Sequence, residues 1–487
     1  MKRIVSSFRY KALFAAMLLG TAACTEKFDQ INTNPNAPTV ATADLFLPHG
    51  IQSAVDAYWG GSLGMDVGDL ISQYWARIQY TDIDQYTITS DVYGTASWQV
   101  FFIESQADFQ RIYKMGAESS NPNYQAVAVI MRSWVFSLLT DIYGDIPYKD
   151  AIKGIEGTLQ PKYDAQKDVY AGLVAELKAA NDMIVLNDNS KAIAGDILLG
   201  NDLTKWKKFA NSLSLRLLNR MLNKADAPID VKSEINRILS DPTKYPVLAS
   251  NSDNVQLNYL DATNNNNPIN QNRKTRDDHR VSATLINKLK AMSDDRLAVY
   301  ANTPADGGDY KGVPNGLSNA DANALGLSKT SKVGTFFVSP TAPGVVMSYA
   351  ELQFIKAEFA YKGIASAGVV ATNYTNGINA SFSQYKLTAS SAYLAANALK
   401  SGADGYTQIM EQKWIALYGQ GLESWAEYRR TGIPALSPAV INTNGGIIPT
   451  RLPYPGSEES LNFTNFSEAL TRQGGKNDMR LKLWFAK

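Results

Sequence analysis

AVAVIMRSWVFSLLTDI, residues 126–142, is the stretch on which the reading of the fold turns. It is apolar nearly all round, interrupted only by Arg132, Ser133, Ser137, Thr140 and Asp141. A helix without a polar face belongs inside a helical stack, since any other place leaves an apolar side in water. Helical spacing recurs outward from it. Residues 204–222 put Trp206, Phe209, Leu213, Leu217 and Met221 on one face, with Thr204 as the expected N-cap. Residues 348–362 open with Ser348 and Glu351, the spacing of a capping box, and stop at Gly363. Residues 404–418 gather Tyr406, Ile409, Met410, Trp414 and Leu417 before Gly419 and Gly421 break the run. A short helix carrying Leu422, Trp425 and Tyr428 then ends before Gly432 and Pro434. Helix pairs separated by Gly turns predict an all-α fold, an α-solenoid of tetratricopeptide-like helix pairs, although no clean repeat period is visible. Two stretches refuse a helix and read as long irregular loops: 251–280, with the Asn264–Asn267 run and Pro268, and 301–347, dense in Gly, Pro, Asn and Ser. The alternation in IDQYTITSDV, residues 83–92, reads as a short strand.

The N-terminus is a different kind of sequence. Lys2, Arg3, Arg9 and Lys11 precede the apolar run Ala12–Leu19 and the small residues Gly20 to Ala23, which is the order of a signal peptide over residues 1–23. Cys24, the only cysteine in the chain, follows directly. An unpaired cysteine at that point predicts a lipobox, with Thr21 where Leu is commoner, and lipidation of Cys24. Several acyl chains on one residue hold a protein at a membrane without a spanning helix. Residues 24–42, with Asn-Pro turn signals and no periodicity, read as a tether, and residues 43–487 as one helical domain. Nothing after residue 24 reads as long and apolar enough to cross a bilayer. Loss of residues 1–23 changes the formal charge from +1 to −3, which excludes a nucleic-acid electrostatic footprint. A composition rich in Asn, Ser, Tyr and Gly favours neutral polar ligands over highly charged ones.

Catalytic chemistry finds little support. Gly60-Gly61-Ser62-Leu63-Gly64 matches G-x-S-x-G, but the residues before it (IQSAVDAYW, 51–59) read as helix, whereas a nucleophile elbow needs a strand there. Gly419-Gln420-Gly421 lacks the third glycine of a dinucleotide loop. With His49 and His279 the only histidines and no cysteine in the fold, no zinc or transition-metal centre is expected, and no cofactor is implied. The Asn-rich loops leave a calcium or magnesium site open. A glycoside hydrolase needs only two carboxylates, yet Asp277-Asp278 and Asp294-Asp295 read as solvated charges rather than an acid/base pair.

The leader followed by FDQINTNPN (28–36), then LLTDIYGDIPY (138–148), SLRLLNR (214–220), KWIALYGQGLESWAEYRRTG (413–432) and RLPYPGSEESLN (451–462), resembles the SusD/RagB family of surface lipoproteins, most closely its second SusD-like subgroup. The resemblance covers essentially the whole mature chain. It implies a helical fold of four tetratricopeptide-like pairs with irregular loops on one face, anchored to the outer membrane by its lipid. It also implies a non-catalytic lid on a SusC-like TonB-dependent transporter, delivering an oligosaccharide or, in RagB-like cases, a peptide. A structural partner that seals the transporter without touching cargo is the alternative of another class. Within the motifs themselves, YGDIPY, RLPYPGSEE, Trp414 and Trp425 read as packing rather than ligand contact.

A neutral glycan is held by flat apolar rings and directional hydrogen bonds. Residues 74–98 carry Tyr74, Trp75, Arg77, Tyr80, Asp82, Tyr86, Tyr93 and Trp98, of which Trp98 is expected to pack in a helix. Loop 264–280 adds Asn267, Asn270, Asn272, Arg273, Arg276 and Asp278. The expected site joins both segments: Trp75, Tyr80 and Tyr86 stack, while Arg273, Arg276 and Asp278 orient the ligand. The competing reading turns these aromatics into the core.

Overall fold

The computed structural model describes residues 41–487, so the leader, Cys24 and nearly all of the tether lie outside the described residues. The long apolar stretch is a helix with a clear local start and stop. Asn121 caps it by accepting from the Asn123 amide, Pro122 occupies its first turn, and Gly144 at φ +87° ends it. By length and composition this helix, Pro122–Tyr143, could cross a membrane, contrary to expectation, but it is almost wholly buried within the protein, where its apolar surface is already covered.

The helices include α1 (Ala43–Trp59), α2 (Ala107–Glu118), α3 (Pro122–Tyr143), α4 (Gln166–Met183), α5 (Leu203–Met221), α6 (Val231–Ser240), α7 (Pro268–Arg273), α8 (Thr335–Val338), α9 (Tyr349–Tyr361), α10 (Val370–Ser383), α11 (Gly402–Ala416) and α12 (Gly421–Thr431), with further helices at Ala283–Ala291 and Phe463–Gln473 and shorter turns besides. Successive helices pack on one another, α2 on α3, α3 on α4, α4 on α5, then α9 on α10 and α11. The fold is all-α. Strands are confined to three two-stranded antiparallel ribbons: β1 (Trp75–Arg77) with β5 (His279–Val281), β2 (Ile146–Pro147) with β3 (Tyr163–Asp164), and β4 (Val255–Leu257) with β6 (Gly344–Met347). Ala43–Lys487 forms one compact unit.

Several helix ends differ from the sequence reading by one turn or one bond. Asp202, not Thr204, caps α5, accepting from the amides of Thr204 and Lys205. A carboxylate outcompetes the hydroxyl here because it also faces the positive end of the helix. Ser348 does cap α9 through the Glu351 amide at 3.1 Å. The reciprocal half of the capping box is missing, because the Glu351 carboxylate is taken by Arg216 of α5 at 2.7 and 2.6 Å. Segment 83–92 is not a strand. Ile83–Gln85 forms a 3₁₀ turn, held by Asp84, whose carboxylate accepts from the amides of Arg77 and Gly316 and from the Asn315 side chain. The two irregular stretches also contain local order, α7 and β4 in the first, α8 and β6 in the second.

The motif segments 138–148, 214–220 and 413–432 meet in the core as one charge network. Arg216, Arg220, Lys413, Arg429 and Arg430 are all buried, as are Asp141, Glu351, Glu358, Glu423 and Glu427. Arg220 donates to Glu423 at 2.7 Å and to Glu427, Lys413 meets Glu427 at 2.8 Å, and Arg430 meets Glu358 at 2.6 Å. Burial opposes the charged form of Glu427, yet Arg430, Lys413 and Arg220 hold its carboxyl well below the usual range. Asp294 belongs to a similar pair. It is buried against Arg296 at 2.6 Å rather than solvated as the sequence suggested.

Gly421 opens α12 where the chain passes Gly68. A β-carbon added at Gly421 would lie 2.2 Å from the Gly68 carbonyl carbon and 2.3 Å from the Asp69 nitrogen, so the glycine is demanded by backbone approach. Gly421→Ala is expected to destabilise the protein by about 1–3 kcal/mol, read from urea unfolding, and an unchanged midpoint would remove this account of the motif's glycine.

Candidate functional site

The β1–β5 ribbon joins the two segments singled out in the sequence. Trp75 pairs with Val281, Ala76 with Arg280 and Arg77 with His279, and the ladder ends where the Ile78 amide donates to the Asp278 carbonyl at 2.8 Å. Residues some 200 positions apart in the chain are thereby made neighbours.

The side chains divide sharply. Trp75 has no accessible surface, and its indole Nε1 donates to the Tyr418 hydroxyl at 2.9 Å. Tyr86 is buried, with its hydroxyl accepting from the Ala439 amide at 2.9 Å. Neither ring has a face to offer, which corrects their expected stacking role: a short ribbon laid over a helical core points its large rings inward. Trp98 packs on Tyr143 and Phe102, in keeping with its sequence reading. Asn267 and Asn270 are structural as well, Asn267 capping α7 and both bonding backbone carbonyls.

Tyr80 is the exception. It is 62% exposed, it sits at φ +53° where non-glycine residues are uncommon, and the Arg276 guanidinium lies 4.8 Å from its ring centroid. Arg276 is itself half-exposed and is steered by Asp278, which accepts from its Nε at 2.7 Å and from Arg77 Nη1 at 3.0 Å. Asp278 is buried, so it positions Arg276 instead of meeting a ligand directly. Arg77 continues to Asp66 at 2.5 Å, and Asp66 meets His279 Nε2 at 2.9 Å. Burial pushes the His279 imidazole down to about 4, outweighing the pull of Asp66, so this ring is neutral at physiological pH.

Beside Arg276 opens a cavity of about 320 Å³, lined by Arg273, Asp277, Asn302, Lys332 and Val338 as well as Arg276. Arg273 gives Nη1 to Asp277 at 3.3 Å, while its buried Nη2 has no partner among the described residues. Asp277 also meets Arg280 at 3.1 Å and Lys332 at 2.9 Å, so it is half-exposed and paired, whereas Asp278 is buried rather than solvated as the sequence suggested. Burial works against its charged form, but Lys332 and Arg280 hold its carboxyl below the ordinary range. Asn302 and Lys332 carried no sequence signal, since the 301–347 loop reaches this wall only by folding back in three dimensions. A wider hollow of about 560 Å³ lies against α9 and α10, lined by Ser250, Asn251, Tyr349, Asn376 and Asn379 among others. It is uncharged, and Tyr349 is its one aromatic. The G-x-S-x-G segment lies in a helical turn after α1, without the strand a nucleophile elbow needs. Among the described residues no group of three His, Cys, Asp or Glu side chains is placed to hold a metal ion.

A family model described as SusD-like, starch-binding and associating with the outer membrane matches residues 35–455. The chain belongs to this SusD-like family. Among solved structures, this SusD-like chain is similar to a chitin-binding protein, with a TM-score of 0.80 and 28% identity over 92% of this chain and 100% of the other. It is also similar to an outer-membrane protein of Bacteroides vulgatus described as probably involved in nutrient binding, with a TM-score of 0.78 and 27% identity over the same 92% and 100%. A SusD homologue of Bacteroides fragilis follows, with a TM-score of 0.76 and 27% identity at the same coverage. A comparison with curated protein sequences found no match. The SusD-like assignment agrees with the motifs, of which those at 138–148, 214–220 and 413–432 supply most of the buried charge network.

Proposed function

We propose that this SusD-like chain is a glycan-capturing lipoprotein of the outer membrane, held at the cell surface by lipid on Cys24 and acting as the lid of a SusC-like TonB-dependent transporter. It binds and hands over its cargo without catalysis. The observation that carries the ligand site is Tyr80, an exposed aromatic ring beneath a guanidinium just past a ribbon that joins two distant segments. Such a ring covers the C–H face of a sugar, and Arg276 supplies directional donors next to it. The family description as starch-binding, and the naming of one similar structure as chitin-binding, support a saccharide over a peptide.

Tyr80→Ala tests the site. An exposed ring contributes little to folding, so stability is expected to change by no more than about 0.5 kcal/mol. Loss of one aromatic platform is expected to weaken oligosaccharide binding about tenfold, measured by calorimetry across a panel of neutral and acidic oligosaccharides. Unchanged affinity removes the site assignment, and absence of binding to every saccharide in the panel removes the function.

A further inference from the structure

The cavity beside Arg276 is short of negative charge. Arg273, Arg280 and Lys332 share a single carboxylate, Asp277, whereas the neighbouring Arg77 and Arg276 are matched by Asp66 and Asp278. His279 is neutral, and the nearby Asp84 spends its carboxylate on two backbone amides and Asn315. Asp277 is shared by three cations, each at a distance between 2.9 and 3.3 Å, and it is the only carboxylate lining the cavity. Arg273 Nη2, buried at this wall, has no acceptor among the described residues. An unpaired buried donor on a cation is costly, and an acceptor entering the cavity would relieve that cost.

We propose that this cavity receives the carboxylate of an acidic sugar, so that the preferred ligand is an oligosaccharide containing uronic acid. The inference rests on the glycan-binding reading of Tyr80 and narrows it. The planar guanidinium of Arg273 matches a planar carboxylate, and Lys332 adds a mobile ammonium from the opposite loop. Tyr80 and the cavity share Arg276, so one sugar lies on the ring while its acidic substituent or neighbour enters the pocket. The composition of the chain as a whole points to neutral ligands. The local surplus of cations points the other way, and binding follows local charge.

The test is calorimetry on the full chain in detergent with galacturonate, mannuronate and glucuronate oligosaccharides. Each is paired with its carboxyl-reduced, neutral counterpart of equal length. At least one acid is expected to bind about tenfold or more tightly than its reduced form, with the preference shrinking as salt rises. Lys332→Gln, at a half-exposed position that leaves the fold intact, is expected to cut that preference several-fold, and Arg273→Gln to abolish it. Equal binding of every acid and its reduced form overturns the inference while leaving glycan capture standing. So does tighter binding of a sulfated oligosaccharide or an acidic peptide than of any uronate. Full preference retained in both variants overturns the placement in this cavity. Failure to bind any saccharide, charged or neutral, overturns glycan capture itself.

Discussion

Arg220→Ala is expected to remove about 3–5 kcal/mol of folding stability, the largest loss from any single charge in the protein. Arg220 has no solvent exposure and faces three carboxylates, Glu423 at 2.7 Å, Asp141 at 3.5 Å and Glu427. Truncation leaves them short of a cation in a region that water does not reach, so the cost is that of stranded charge more than of lost contacts. Arg220→Lys keeps the charge but replaces a planar fork by a single ammonium, and an intermediate loss is expected because three donors on one nitrogen cannot span acceptors arranged around a guanidinium. Arg480→Ala, which breaks the exposed pair with Asp478, serves as control and is expected to leave the unfolding midpoint close to that of the parent. Urea unfolding followed by circular dichroism checks all three. An Arg220→Ala midpoint close to that of the control would mean the network contributes no more than a surface pair.

Trp75→Ala is expected to cost about 3–5 kcal/mol through the cavity it leaves, with little effect on ligand affinity in the protein that remains folded. Trp75 is wholly buried, meets the His279 ring edge-on at 5.5 Å and bonds Tyr418, which stacks on Tyr300 at 4.2 Å and donates to the Tyr300 carbonyl. An uptake assay alone would misread this variant, because a drop in surface abundance mimics a drop in binding. Calorimetry on the folded fraction separates the two. A Trp75→Ala protein of normal stability that no longer binds oligosaccharide would restore the stacking role and contradict its burial. The contrast with Tyr80→Ala is therefore diagnostic, since the two residues lie five positions apart and are assigned opposite duties.

Much of the architecture was legible from local pattern. The all-round apolar run at 126–142, the Trp206-to-Met221 face, the Ser348 cap and the Gly419 and Gly432 breaks each lie in helices or helix ends where expected. The family motifs were legible as packing, and Trp414 and Trp425 are buried. Segment 74–98 and loop 264–280 were expected to line one site, and the β1–β5 ribbon makes their ends neighbours. Side-chain direction was not legible. Tyr80, Trp75 and Tyr86 look alike in sequence, yet of the three only Tyr80 is turned to solvent, just past the ribbon's last ladder bond. The anticipated strand at 83–92 failed because the Asp84 carboxylate organises a turn with partners more than 200 residues away.

By itself the sequence determined where the main helices run, and it raised the expectation of a leader before the lone Cys24. Those properties depend on neighbours within a turn or two of the chain. Tertiary structure alone decided which aromatic is presented to solvent, and that Lys332 and Asp277 face Arg273 across one cavity. Such choices depend on contacts between distant segments, and burial and charge pairing are set by what surrounds a side chain in space, which no local periodicity encodes.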